Sequence, residues 1–308
     1  MVRQKQQRRQ TWAVEEGGAN VWRKYTVEED RQRTNRHYDL PAEFITTFTA
    51  GDWNVYSCNL WDGVDSVTES QEHKLDLLAR LMDLRPGQRI LDVGCGWAGP
   101  LVYLAKRYGI RGVGLTLSPN QKEHADRRIR DHGVDVEIHV AHWEDFIDQI
   151  PYDAVYTDEV IVHFNDLGGF FEKVKTLLKP GGLLLNKELH FTSSRFMELT
   201  RAMIFLNNIF GETGNYRMLH EELLLLDQTG FIVESIDQIP IANYAKTADR
   251  WLANLQAHHD RLEELVGTEI YEGFRKYLRM VRRIHGSSSP PMTLEVVVAR
   301  VPAARAAF

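Results

Sequence analysis

Three glycines and an acid make up the most chemically loaded stretch of the chain. Gly94, Gly96 and Gly99 follow Asp92, which lies at the end of the short apolar run Arg89–Val93, two residues before the first glycine. Glycines at this spacing let the backbone approach a ligand that side chains would hold off. The pattern alone fits either a dinucleotide or S-adenosylmethionine (SAM). Two features separate these readings. The Asp92 carboxylate would repel a pyrophosphate, but it can accept hydrogen bonds from the ammonium of a methionine moiety, or lock the loop. A dinucleotide site also needs Asp or Glu at the end of the next strand, to hold ribose hydroxyls. That strand here ends in Thr116-Leu117, with no acid. The loop therefore reads as a SAM cradle, and the expected chemistry is methyl transfer, leaving S-adenosylhomocysteine (SAH).

A second group of residues could act on the methyl acceptor. Asp158 and Glu159 follow the apolar run Asp153–Tyr156. An acid directly after a core strand needs a cationic or hydrogen-bonding partner. Asp158 either bonds the cofactor or is solvated. His163 lies four residues after Glu159 and would share its face on a helical turn. Its ordinary pKa near neutrality suits proton transfer, although it could equally cap or fill the turn.

Alternating strands and helices must hold these residues. Arg89–Val93, Gly112–Leu117, Val136–Val140, Asp153–Tyr156 and Leu183–Leu189 read as strands. Leu101–Tyr108, Pro119–His132 and Gly168–Leu178 read as helices between them, and Thr68–Leu84 as a helix before them. Such alternation implies an α/β fold with a parallel sheet covered on both faces. Residues 195–225 break the rhythm. They are rich in Met and Phe, and form either a packed helix pair or an apolar cap over a substrate pocket. Ile232–Ile236 and Leu294–Arg300 read as final strands, separated by a helical excursion over 248–285. Residues 1–67 are expected to contribute to the active site from outside the main domain, 68–308.

The chain has 308 residues, of which 43% are hydrophobic and 26% charged, enough for a sizeable core without disulfide or metal staples. Its formal net charge of −6 argues against a nucleic-acid partner. The short basic tail with Arg3, Lys5, Arg8 and Arg9 is either a loose terminus or a contact to an acidic membrane or within a homo-oligomer. No stretch is apolar enough to span a membrane. The two cysteines, Cys58 and Cys95, stand in no metal-like cluster. With no secretory signal, a cytoplasmic location is expected.

Six stretches, in order from about residue 35 to the C-terminal region, resemble the cyclopropane fatty acid synthase and mycolic acid methyltransferase family. They are Asn35–Leu40 (Asn-Arg-His-Tyr-Asp-Leu), Tyr56–Cys58, Leu91–Trp97, Gly114–Gln121, Trp143–Phe146 and Asn243–Trp251. The resemblance implies a Rossmann-like class I methyltransferase with a seven-stranded, mostly parallel sheet and a helical cap. It implies SAM contacts from Tyr56, Ser57, Gly94, Cys95, Gly96, Thr116, Leu117 and Gln121. Trp143 and Glu144 would hold the adenine, by stacking and by reading its amino group. Tyr38, Phe205 and Tyr244 would face the acceptor. The third loop glycine of the family is Ala98 here, displaced to Gly99.

Family members that alkylate an alkene hold a bicarbonate ion as base, through a Cys, a Glu, a His and a Tyr. Cys58, His190 and Tyr244 match three of these, but Val162 stands where the Glu should be and Glu159 lies three residues earlier. Cys58 could instead be a small buried hydrophobe, His190 a satisfied pocket histidine and Tyr244 a pocket wall. Two readings follow. Glu159 could replace the bicarbonate, as in the related prenyl-diphosphate C-methyltransferases, giving C-methylation of an alkene. Alternatively Glu159 and His163 could receive an amine, as in the related plant benzylisoquinoline N-methyltransferases. A bicarbonate-dependent synthase and a SAM-binding protein without turnover are the remaining alternatives. The acceptor is expected to be a small or lipid-like molecule.

Overall fold

In a computed structural model the described residues are 26–29, 31–32, 40–195 and 215–303. A twisted sheet forms the centre. Its strands are β1 (Arg89–Val93), β2 (Arg111–Thr116), β3 (Val136–Val140), β4 (Tyr152–Asp158), β5 (Leu178–Phe191), the two-residue β6 (Arg217–Met218), β7 (Ile232–Ile239) and β8 (Met292–Arg300). The order is β3-β2-β1-β4-β5-β8-β7, with β6 joined to the end of β5. The first five strands of that order run parallel, and β8 lies antiparallel between β5 and β7. The expected seven strands are present, and β6 adds an eighth. It pairs with His190 and Phe191.

The helices start where the sequence offers caps. In α2 (Val67–Leu81) Ser66 accepts the Glu69 N–H. In α4 (Pro119–His132) Ser118 accepts the Gln121 N–H ahead of Pro119. In α5 (Leu167–Leu177) Asp166 accepts the Gly169 N–H. Such side-chain oxygens satisfy amides that the helix leaves unpaired. The α3 helix (Gly99–Tyr108) carries apolar Leu101, Leu104 and Ala105 into the core on one face of the sheet, with Leu75 and Leu78 of α2. Phe170, Phe171 and Val174 of α5, with Leu226 of α6 (Leu219–Gln228), cover the other face. The described part of the interval read as a cap, 215–225, is thus β6 and the start of a sheet-covering helix. Residues 196–214, Phe205 among them, lie outside the described residues.

The C-terminal excursion begins earlier than expected and comprises three helices: α7 (Ala242–Ala257), α8 (His259–Val266) and α9 (Thr268–His285). They enclose a third, aromatic core with α1 (Ala42–Thr49), in which Phe44 and Phe48 meet Phe274 and Trp251. The segment after α1 is thereby fastened to the main domain. Among the described residues no helix is long and apolar enough to cross a membrane.

The strand order reverses between β1 and β4, which opens a crevice beyond their carboxyl ends. Asp92 is the penultimate residue of β1, Thr116 ends β2 and Asp158 ends β4, so the topology gathers them. Ala98 adopts the left-handed conformation, φ 59°, that a glycine would take at less cost. Gly99 has a different duty: a Cβ there would lie 1.7 Å from the Trp53 carbonyl oxygen. Gly99→Ala must displace the 53–57 segment, and is expected to lower unfolding free energy by about 1–3 kcal/mol in denaturant titration.

Candidate active site

The crevice is a cavity walled by the glycine loop, the segment around Tyr56, and the ends of β2 and β4. Its wall includes Tyr56, Ser57, Asp92, Gly94, Cys95 and Gly96, and, beyond β2, Thr116, Leu117 and Gln121. Trp143, Asp158, Glu159 and His163 complete the opposite side. Thr116 and Gln121 hydrogen-bond each other and shape the turn after β2. The Tyr56 ring packs against Phe48 and Trp251, so the aromatic core positions one wall. The Glu144 side chain is exposed and absent from this wall. Its buried neighbour His142 lines the cavity instead. Tyr38 lies outside the described residues.

Glu159 is the most constrained acid of the site. It adopts φ 59°, a left-handed backbone that non-glycine residues take at a cost and that clusters at functional sites. Its carboxylate accepts the Cys58 backbone N–H at 2.8 Å and the Tyr244 hydroxyl at 2.7 Å. It also pairs with the ammonium of Lys187 on β5. Lys187 in turn reaches Asp158 at 2.9 Å. Asp158 pairs with a second lysine, Lys74 of α2, and accepts the Ser57 hydroxyl at 2.7 Å. Both lysines are fully buried. Two lysines thus balance two carboxylates; burial pulls the Lys74 pKa down, and the Asp158 charge opposes that pull. Burial disfavours the Asp158 anion, but the charges of Lys187 and Lys74 outweigh it and hold its pKa well below the usual range. Lys187 is held well above its ordinary value by Asp158 and Glu159, against the opposing effect of burial.

The turn that carries Glu159 and His163 is fixed from beneath. Glu188 accepts the Val162 N–H at 3.1 Å, and Arg217 donates to the Phe164 carbonyl at 2.6 Å. Burial, then the charge of Glu159, push the Glu188 carboxyl up to about 8.

Three expected residues behave differently from one another. Cys58 contributes its backbone N–H, while burial pushes its thiol up to about 12, so the sulfur stays protonated. Tyr244 meets Glu159, and burial together with that carboxylate keeps its phenol protonated and donating. His190 does not join them. Its Nδ1 lies 2.9 Å from Glu295 and its Nε2 2.8 Å from Glu222. Burial opposes its charge, but these two partners raise it to about 10. Both ring nitrogens are therefore committed on the other face of β5, and the cation that reaches Glu159 is Lys187, three residues earlier. Sequence reasoning missed both lysines. The signal was present: a lysine within the apolar strand Leu183–Leu189 must find a buried counter-charge.

The wall suits an adenosyl-methionine ligand. A Cβ on Gly94 would lie 2.6 Å from a Val160 methyl, and its φ of 92° also demands glycine. The Trp143 indole N–H is buried without a partner among the described residues, so the ring presents an unused donor beside an apolar face. Asp92 is buried, accepts the Tyr156 hydroxyl at 2.5 Å and is pushed up to about 7, chiefly by burial. A cationic amine is its natural complement.

This sets the sign of a pH effect. Below about pH 7 Asp92 is increasingly protonated, and a cation beside it favours the anion, so binding releases a proton. SAM affinity measured by calorimetry is expected to tighten from pH 6 to pH 8 and then level. Asp92→Asn should weaken binding and flatten that dependence.

Residues 25–289 match the family described as mycolic acid cyclopropane synthetase. Cyclopropane mycolic acid synthase 1 of Mycobacterium tuberculosis is 31% identical over 262 residues, which cover 79% of this chain and 88% of that protein. The structure of the cyclopropane synthase MmaA2 from the same organism superposes with a TM-score of 0.80 at 26% identity, covering 88% of this chain and 98% of that one. The mycolic acid cyclopropane synthase CmaA1, solved with SAH and CTAB, gives 0.79 at 26% identity over the same shares. The chain belongs to the mycolic acid cyclopropane synthetase family and is a SAM-dependent methyltransferase of the class I fold.

Proposed function

We propose that this enzyme methylates an alkene carbon of a lipid-like, isoprenoid or natural-product acceptor, with Glu159 stabilising the resulting cation and removing its proton. The observation that carries this reading is the seat of Glu159. Glu159 lines the cavity, and its carboxylate takes up the Cys58 N–H and the Tyr244 hydroxyl. The family resemblance assigns those same two residues to an exchangeable bicarbonate. Here a side chain fills that role. SAM, when bound, supplies an electrophilic methyl group on a sulfonium.

Addition of a methyl group to one alkene carbon leaves the cation on the other. Glu159 lowers the energy of that charge and accepts a proton from an adjacent carbon, whose C–H electron pair restores a double bond. The product is a methylated alkene. Protons on the carbon next to a carbocation are very acidic, so a carboxylate can remove one without further activation. Lys187, the Cys58 N–H and Tyr244 keep the carboxylate in place, Asp158 anchors Lys187, and Tyr56, Asp92, Gly94, Gly96, Gln121 and Trp143 are assigned to the cofactor. Residues 54–58 belong to this site, although they precede the methyltransferase core.

One observation favours nitrogen. His163 lines the same cavity as Glu159 and could take a proton from an amine. A pH–rate profile separates the two readings, because an amine acceptor must lose its proton before attack whereas an alkene has none to lose.

Glu159→Gln keeps the size of the side chain, removes the charge and turns one accepting oxygen into a donor. Turnover is expected to fall at least about 100-fold, with SAM affinity within about twofold of wild type; unchanged turnover would remove Glu159 from its role. Bicarbonate added to decarbonated buffer should leave the rate unaltered. A rate that climbs with bicarbonate would instead restore a borrowed anion as base.

A further inference from the structure

Among the buried charges, Lys74 of α2 has no part in the proposed chemistry. Its ammonium pairs with Asp158 and donates to the Ser57 hydroxyl oxygen at 2.6 Å. Ser57 donates in turn to Asp158 at 2.7 Å. Ser57 and Asp158 line the cavity, and Lys74 stands behind them, fully enclosed. The wall itself is unbalanced. It carries the acids Asp92, Asp158 and Glu159 and, among the described residues, no lysine or arginine. Its two histidines sit beside Trp143 and on the turn after Glu159. The amino-acid end of SAM brings an ammonium and a carboxylate on one carbon. Asp92 suits the ammonium. A carboxylate held so near that acid needs a donor and a compensating positive charge. Lys74 is close enough to Asp92 for its charge to oppose the effect of burial there. Ser57 supplies the donor. Its oxygen accepts from Lys74, so its proton must point elsewhere. Because Lys74 also bonds Asp158 directly, Ser57 can turn that proton to an acceptor in the cavity without leaving Asp158 uncompensated.

We propose that Lys74 is a positioning residue for the carboxylate of the cofactor's amino-acid end: it holds Ser57 as the donor to that carboxylate and supplies the positive charge that the wall lacks. The inference rests on the cofactor occupying this cavity. It depends neither on the acceptor nor on Glu159 acting as the base.

The test compares SAH with its decarboxylated analogue, S-adenosyl-3-thiopropylamine, which keeps the amine and loses only the carboxylate. Calorimetry with the full chain gives both affinities at pH 8, above the value of about 7 to which Asp92 is raised. Wild type is expected to bind SAH roughly tenfold more tightly. Lys74→Met should bind the two ligands to within about twofold of each other, because only SAH has a partner to lose. A purely structural lysine would weaken both ligands alike and leave the preference standing. That outcome overturns the inference and hands the carboxylate to backbone amides of the glycine loop. A wild type without preference overturns it too. Ser57→Ala keeps the buried charges and removes the donor, and should lose part of the preference; an undiminished preference there overturns the inference even if Lys74→Met binds neither ligand. Glu159→Gln should keep the preference while losing turnover. A preference lost in that variant as well would belong to the charged set as a whole, and would overturn the particular role of Lys74.

Discussion

The buried set of Lys74, Asp158, Lys187 and Glu159 is the constraint on which the active site depends. Each charge would be prohibitively expensive alone in the interior. Together they are neutral, and each has at least one partner at hydrogen-bonding distance. The set also ties four parts of the chain to one point. Lys74 comes from α2, Asp158 and Glu159 from the end of β4, and Lys187 from β5. Ser57 and Cys58 bring in the segment that precedes the core. Removing one member strands another, so these positions cannot vary independently.

The same set explains how Glu159 sustains its left-handed backbone. That conformation is unfavourable for a side chain with a Cβ. It persists because the carboxylate is held from three directions, and because Glu188 and Arg217 pin the turn that follows. Local strain is thus offset by contacts that converge on one acid. Aromatic packing of Tyr56 against Phe48 and Trp251 does the corresponding job for the facing wall. Contacts within the protein thus fix both walls of the cavity.

How much of this was legible in the sequence follows from the range of the interactions involved. The strand–helix alternation is local, and β1 and α4 coincide with their expected limits. The glycine loop and Asp92 were legible because a ligand that must touch backbone leaves a glycine signature. Glu159 stood out because an acid after a core strand demands a partner. The identity of that partner was not legible, since Lys187 lies 28 residues from Glu159 and meets it only through the pairing of β4 with β5. His190 looked suitable by type and position. It fails because neighbouring residues of a strand alternate between faces, and its face carries Glu222 and Glu295. Glu144 was misplaced for a related reason, since the chain turns after β3 and points His142 and Trp143 inward instead.

On the proposed reading, the difference from relatives that borrow an anion is one of supply and placement. An exchangeable ion must bind anew and can shift within its site, whereas Glu159 is delivered by folding at a fixed position. A fixed carboxylate can take only protons within its reach, so the geometry of Tyr244 and Cys58 around it becomes part of product choice. With the base built in, the residues free to diversify are those that touch the acceptor and not the base.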